Sequence, residues 1–286
     1  MSFREIIFAH TDRSGRIRIC LVLFAVISAS ACTPQILVFT DPVTDLQHPG
    51  IGRDVQSLTG ARVRQVSVDP FSESRRYDRT VPENVPVAMS LLASTALPED
   101  LLPASRDGAV VTMGGYASEA PEGFVVFDPG PAAAAAARFA AARPGDGDEL
   151  RSVCLFVLET EPAARRMRSE FVSELTRAGE GRTELTERRW FTDPGTEAVR
   201  GAVRDAGDTP CLVVLFLGDR LPAALEILEN RSVPVVIGGD RIDYPGVDIV
   251  GWFDRSIAEA LAAWYRDPDM RVFPAHFKSP SEVSGL

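Results

Sequence analysis

The chain has 286 residues, 45% hydrophobic and 24% charged, with four cysteines. That length buries one large core or two smaller ones, and it excludes a disulfide-stapled miniprotein or a single long helix. Lys and Arg number 30 against 40 Asp and Glu, a formal charge of −10. The balance excludes a general nucleic-acid binder, which needs a basic surface to displace counterions.

The first element in chain order is the apolar run 19–31 (ICLVLFAVISASA), preceded by Arg4, Arg13, Arg16 and Arg18 and ending at Cys32. A membrane-spanning helix needs about 20 apolar residues to cross roughly 30 Å of hydrocarbon, and this run falls short. A basic start, an apolar centre and small residues at the exit fit a signal peptide, with a buried helix or strand as the alternative. Ala29, Ser30 and Ala31 suit a peptidase groove, and Pro34 stops a helix from running on. The stretch resembles a bacterial lipoprotein signal, with Ala29 standing where such signals favour Leu. The resemblance implies cleavage before Cys32, lipidation of its thiol and a membrane anchor through that lipid. Plain secretion, with an unmodified Cys32, is the competing reading. Residues 1–31 hold four Arg against Glu5 and Asp12, so their removal leaves a body of 255 residues with a charge near −12.

Residues 35–40 (QILVFT) read as a short strand, and 62–68 (RVRQVSV) as a half-exposed one. The stretch 69–106 is rich in Pro, Ser and charge around an apolar segment, Val87–Leu92. Two further strands follow at Ala109–Met113 and Phe124–Phe127. Pro131 opens an Ala-rich helix to Ala142, at a position where its missing N–H costs nothing. Val153–Leu158 and Cys211–Leu217 are continuous apolar runs, the pattern of parallel strands covered on both faces. Helices are expected at Ala163–Ala178, with Met167, Phe171 and Leu175 on one stripe, and at Thr196–Asp205, Leu221–Glu229 and Ile257–Tyr265. Strands are expected at Thr183–Phe191, Val233–Ile237 and Val247–Phe253. Alternation of this kind means βαβ units and a doubly wound, mostly parallel α/β body. The repeat reads as architectural, not as a repeat of sequence.

The segments FVVFDPGPAAAAAARFAA (124–141), RSVCLFVLETEPAARRMRSEFVSEL (151–175), LFLGDRLPAALEIL (215–228), VPVVIGGD (233–240), VDIVGWFDRSIAEALAAW (247–264) and RVFPAHFKS (271–279) come in a characteristic order. In kind and order they resemble the effector-binding body of lactose-repressor-type proteins and the type-I periplasmic binding proteins. The resemblance implies two doubly wound lobes joined by a hinge, with a small ligand closed between them. Residues 32–128 would form the first lobe, 129–243 the second, and 244–286 the return to the first. The signal segment occupies the place of a helix-turn-helix, so the binding-protein branch is the one implied.

The resemblance also implies ligand contacts at the carboxyl ends of strands. Those positions hold Asp41 and Asp45 after the first strand, then Asp128, Asp219 and Asp240, with Gly218 where the family has Asn. The family's ligand-contacting Arg falls on Met167, with Arg166 and Arg168 beside it, and helical neighbours point about 100° apart. His48-Pro49-Gly50-Ile51-Gly52 interrupts the first lobe where a helix is expected. Trp252 near a strand end is a stacking candidate, whereas Trp264 reads as core. Each carboxylate has an ordinary alternative as a cap on free backbone N–H groups.

Enzyme motifs do not appear. No G-x-S-x-G, P-loop or G-x-G-x-x-G is present, and His48 and His276 are isolated. No cofactor, catalytic residue or metal site is expected. Cys154 and Cys211 lie in apolar runs and read as core thiols, with a disulfide between them left open. Two functions remain: solute capture for an ABC-type permease, or a ligand-sensing or protein-binding lipoprotein of the same fold.

Overall fold

The computed structural model describes residues 35–69, 85–96, 110–143 and 151–280. In chain order the elements begin β1 (Gln35–Thr40), α1 (Pro42–Gln47), α2 (Ile51–Thr59), β2 (Arg62–Ser67), β3 (Val87–Ser90), α3 (Leu91–Ala96), β4 (Val110–Tyr116), β5 (Phe124–Asp128) and α4 (Gly130–Ala142). The second half runs β6 (Arg151–Leu158), α5 (Pro162–Ala178), β7 (Thr183–Trp190), α6 (Gly195–Gly207), β8 (Leu212–Phe216) and a 3-10 turn, Gly218–Arg220. Then come α7 (Leu221–Leu228), β9 (Arg231–Ile237), β10 (Val247–Asp254), α8 (Ile257–Arg266), β11 (Val272–Pro274) and β12 (His276–Lys278). The leader and Cys32, with their export and lipidation expectations, lie outside the described residues.

The strands form two six-stranded sheets, ordered β11-β5-β4-β3-β1-β2 and β12-β10-β9-β8-β6-β7. All pairings are parallel except that of β12 with β10. The α/β class is as the alternating pattern predicts, and the two doubly wound lobes are as the family resemblance implies. The apolar runs show why: every residue of β8 is buried, as a strand covered on both faces requires. At the sheet edges β2 and β7 are polar and mostly exposed or half-buried.

The two sheets have the same strand order and differ at one edge, where β11 lies parallel to β5 but β12 antiparallel to β10. β4 and β5 hold in the first sheet the places that β9 and β10 hold in the second. The sequence repeats there too. Met113-Gly114-Gly115-Tyr116 corresponds to Ile237-Gly238-Gly239-Asp240, Pro121 to Pro245, and Phe127-Asp128 to Phe253-Asp254. This corrects the reading of a purely architectural repeat. The match is confined to a few positions at strand ends, too short to stand out along the chain.

Each lobe gives a helix to the other. After β5 the chain crosses so that α4 packs on α5, and after β10 it crosses back so that α8 packs on α2. The third crossing runs through Ala275, between β11 and β12. One apolar cluster therefore continues through both lobes, from Ile36 and Val38 past Phe127 and the α4 alanines to Phe171, Phe216 and Trp264. The sequence reading returned the chain to the first lobe from residue 244. In the structure β10 pairs with β9, and the return begins with α8. An apolar strand carries no local signal for which of two equivalent sheets it joins, and that accounts for the difference. A first-lobe helix is also present after β1, divided into α1 and α2 at His48–Gly50, where Gly50 takes φ +89°.

Candidate functional site

Strand ends of the two lobes meet where Tyr116, at the end of β4, donates its hydroxyl hydrogen bond to Asp240 Oδ1 after β9, at 3.0 Å. These are corresponding positions of the internal repeat, so the contact joins equivalent strand ends of the two sheets. Arg255 completes the junction. Its Nε and Nη2 hold Asp240 at 3.1 and 2.5 Å, and its Nη1 donates to the Gly114 carbonyl of the first sheet at 3.2 Å. Burial pushes the Tyr116 hydroxyl well above its ordinary pKa, and the Asp240 charge adds to the rise. His48 faces the same junction. Its Nε2 is buried without a hydrogen-bond partner among the described residues. Burial lowers its pKa, reinforced by Arg255 and opposed by Asp240 and Asp254.

Other predicted site residues are held by their own chain. Asp41 is 1% exposed and caps α1, accepting from Val43 N, Thr44 N, Thr44 Oγ1 and Ser90 Oγ at 2.9, 3.0, 2.7 and 2.5 Å. Four donors fill a carboxylate's acceptor positions. Burial alone would raise the Asp41 pKa, but the Ser90 and Thr44 hydroxyls and the two N–H groups bring it below the usual value. Asp45 accepts from Gln65 Nε2 at 2.8 Å. Asp128 closes a turn by accepting from Gly130 N at 2.9 Å, and Arg166 lies against it at 3.4 Å, so that pair bridges β5 and α5 across a lobe crossing. Arg168 points elsewhere, to Glu187 at 2.8 Å and Glu159 at 3.6 Å. Met167, between the two arginines, is buried in the core.

Trp252 does not join the strand-end groups. It is buried on the α6–α7 face of the second sheet beneath Arg241, whose guanidinium sits 5.1 Å from the ring centre. The reason is alternation along β10: Phe253 faces Tyr116 and Phe216, so Trp252 takes the opposite face. Trp252, Tyr244, Ile249 and Arg241 line a cavity of about 590 Å³ there. Trp264 is core, as its helical stripe predicts.

Asp219 is the exposed carboxylate, with 73% of its side chain exposed and Arg220 Nε 3.9 Å away. Beside it stands Glu161, which precedes α5. Burial raises the Glu161 pKa and the Asp219 charge raises it further, against a hydrogen bond from the Asp219 backbone. No cation partners Glu161 among the described residues. This carboxylate explains Gly218, which takes φ +50° and whose Cβ, if present, would collide with the Glu161 oxygens. Exposed apolar side chains follow the strands of both lobes: Val43, Leu46, Leu91 and Leu92 in the first, and Phe191 under Arg189 in the second. Sequence reasoning missed His48, Tyr116, Glu161 and Arg255; only the Gly-Gly step before Tyr116, matched by the one before Asp240, hints at one of them.

No family model matches the chain, and no curated protein matches it. Solved structures do. A periplasmic ribose ABC transporter structure from Conexibacter woesei DSM 14684 aligns with a TM-score of 0.51 at 13% identity, covering 88% of this chain and 94% of that one. An ABC transporter solute-binding protein from the same organism aligns at 0.50 with 12% identity, over 86% and 88%. The chain has the type-I periplasmic-binding-protein fold. Among the described residues no helix is long and apolar enough to cross a membrane.

Proposed function

We propose that the protein is an exported, lipid-anchored binding protein that captures a small polar solute between its lobes and presents it to an ABC-type permease. The observation that carries this reading is the pair of sheets with the same strand order whose strand ends meet across a three-strand crossing, a build suited to hinge closure on a ligand. The two Conexibacter proteins, described as a solute-binding protein and a ribose transporter component, support it by likeness of fold. The basic-apolar leader ending at Cys32 supports the anchor, which would hold the receptor near a membrane partner.

On this reading the ligand is bound through hydroxyl or amine donors by Glu161 and Asp219, with the Phe191 ring as an apolar face. A sugar-like or nucleoside-like solute has that combination. Arg166, Arg168, Asp41 and Asp128 hold the scaffold in place, and Asp240 serves the junction. The protein acts by binding and not as an enzyme.

A second reading keeps the fold and the anchor but gives up transport, as a ligand sensor or a protein-binding module. Saturation of Asp41 and Asp240 by internal donors favours it, since two of the family's contact positions then offer nothing to a solute. A thermal-shift screen of residues 33–286 with sugars, polyols, nucleosides and amino acids separates the two. Solute capture predicts stabilisation by about 2.7 kcal/mol at a hundredfold excess over Kd, lost in Asp219→Ala. No stabilisation by any compound favours the second reading.

A further inference from the structure

The parallel steps of the second sheet run through helices: α5 between β6 and β7, α6 between β7 and β8, α7 between β8 and β9. The step from β9 to β10 is a bare loop, residues 238–246. The face of β10 that carries Trp252 is therefore roofed by this loop instead of a crossover helix, which leaves the cavity of about 590 Å³. Ligand pockets span about 300–1,000 Å³. The loop backbone is fixed by Val247 N donating to Tyr244 O at 3.3 Å and Asn230 N donating to Gly246 O at 2.8 Å. Ile242, Tyr244, Ile249 and Trp252 form the apolar wall. Trp252 is only 7% exposed, yet neither its indole N–H nor the Tyr244 hydroxyl has a hydrogen-bond partner among the described residues. A buried indole N–H ordinarily has one, so the cavity offers a donor that its own walls do not satisfy.

Charges of both signs line the same cavity. Arg241 sets its guanidinium 5.1 Å from the Trp252 ring centre. Only its Nε is engaged, with the exposed Asp243 at 3.1 Å, and both Nη groups are without an acceptor among the described residues. A guanidinium stacked on a ring keeps its edge N–H groups for a carboxylate. Asp248 also lines the cavity and has no cation partner among the described residues. We propose that this cavity is a second binding site, for an α-amino acid with an apolar side chain. The ligand carboxylate accepts from Arg241 and from the Trp252 N–H, its ammonium donates to Asp248, and its side chain packs on Ile242, Ile249 and the Tyr244 ring. A zwitterion answers the free cation and the free acid together, whereas a simple amine or a simple acid leaves one of them unpaired. Glu161, Asp219 and Asp240 do not line the cavity, so the site stands apart from solute capture between the lobes.

The test is titration calorimetry of the purified folded protein with L-phenylalanine and L-leucine. The expected result is one-to-one binding of at least one of them. Arg241→Met and Asp248→Asn should each weaken it by about tenfold or more, the loss of one charge-assisted contact, and Asp219→Ala should leave it unchanged. Phenethylamine and hydrocinnamate, each lacking one charge of phenylalanine, should bind about tenfold more weakly than the amino acid or not at all. Arg241 has 55% of its side chain exposed and Asp248 is exposed as well, so both variants should keep the wild-type melting temperature. Failure of both amino acids to bind overturns the inference. So does binding that Arg241→Met leaves intact, or that either analogue matches. Binding abolished by Asp219→Ala overturns it too, because the amino acid then sits between the lobes.

Discussion

Replacing Asp240 with Ala tests the junction between the lobes most sharply. The substitution removes the partner of a guanidinium held at 3.1 and 2.5 Å, with the two side chains only 18% and 17% exposed. Breaking a buried pair from one side costs about 3–5 kcal/mol, because a charge is left without compensation. Two contacts survive: Arg255 keeps the Gly114 carbonyl at 3.2 Å, and Tyr116 keeps a 3.4 Å approach to the Phe253 carbonyl. With those and the residual exposure, the expected loss is about 2–4 kcal/mol in urea unfolding. Arg255→Met in the Asp240→Ala background removes the stranded charge, so the double variant should be more stable than additivity predicts, by at least about 1.5 kcal/mol. A single-variant cost below about 0.5 kcal/mol, or an additive cycle, would refute the reasoning. Either result means that the charges are solvated and independent.

Other expectations follow from the same contacts. His48 binds fewer protons folded than unfolded, so it lowers stability as pH falls through and below its ordinary pKa near 6.5. His48→Gln should flatten the pH dependence of the melting temperature between about pH 5 and 7; an unchanged profile contradicts the burial of its Nε2. Glu161 has the opposite sense: its raised pKa means that stability declines as pH rises above the unfolded value, so Glu161→Gln should raise the melting temperature at neutral pH. Asp41→Ala leaves Ser90 and two backbone N–H groups without acceptors and should cost about 2 kcal/mol in urea unfolding. Gly238→Ala places a Cβ against the Phe216 ring and 2.9 Å from Met167 Sδ, an overpacking worth about 1–3 kcal/mol by the same assay.

The fold was largely legible because burial on both faces leaves long apolar runs, as in β6 and β8, and because helices such as α5 carry one clear stripe. What the chain could not disclose was partnership. β10 has the composition of any parallel strand, so its sheet depends on a crossing that local pattern does not encode. Asp41, Asp128 and Asp240 were found at strand ends by position, but their partners come from Ser90, Arg166, Tyr116 and Arg255. Three of these are far away in sequence, so whether a carboxylate faces solvent or its own chain is decided only in the folded state. His48 looked like a turn residue because its turn is local, while the groups it faces are Asp240, Asp254 and Arg255. Trp252 was misplaced through a single step of strand alternation: its neighbour Phe253 holds the inward position.

Solute capture is tested most directly by dialysing the protein, as residues 33–286, against a bacterial metabolite extract and measuring by mass spectrometry what it retains. The account predicts one polar, hydroxyl- or amine-bearing solute at a one-to-one ratio, released by Asp219→Ala and Glu161→Gln. Retention of nothing above the level of an unrelated acidic protein contradicts it.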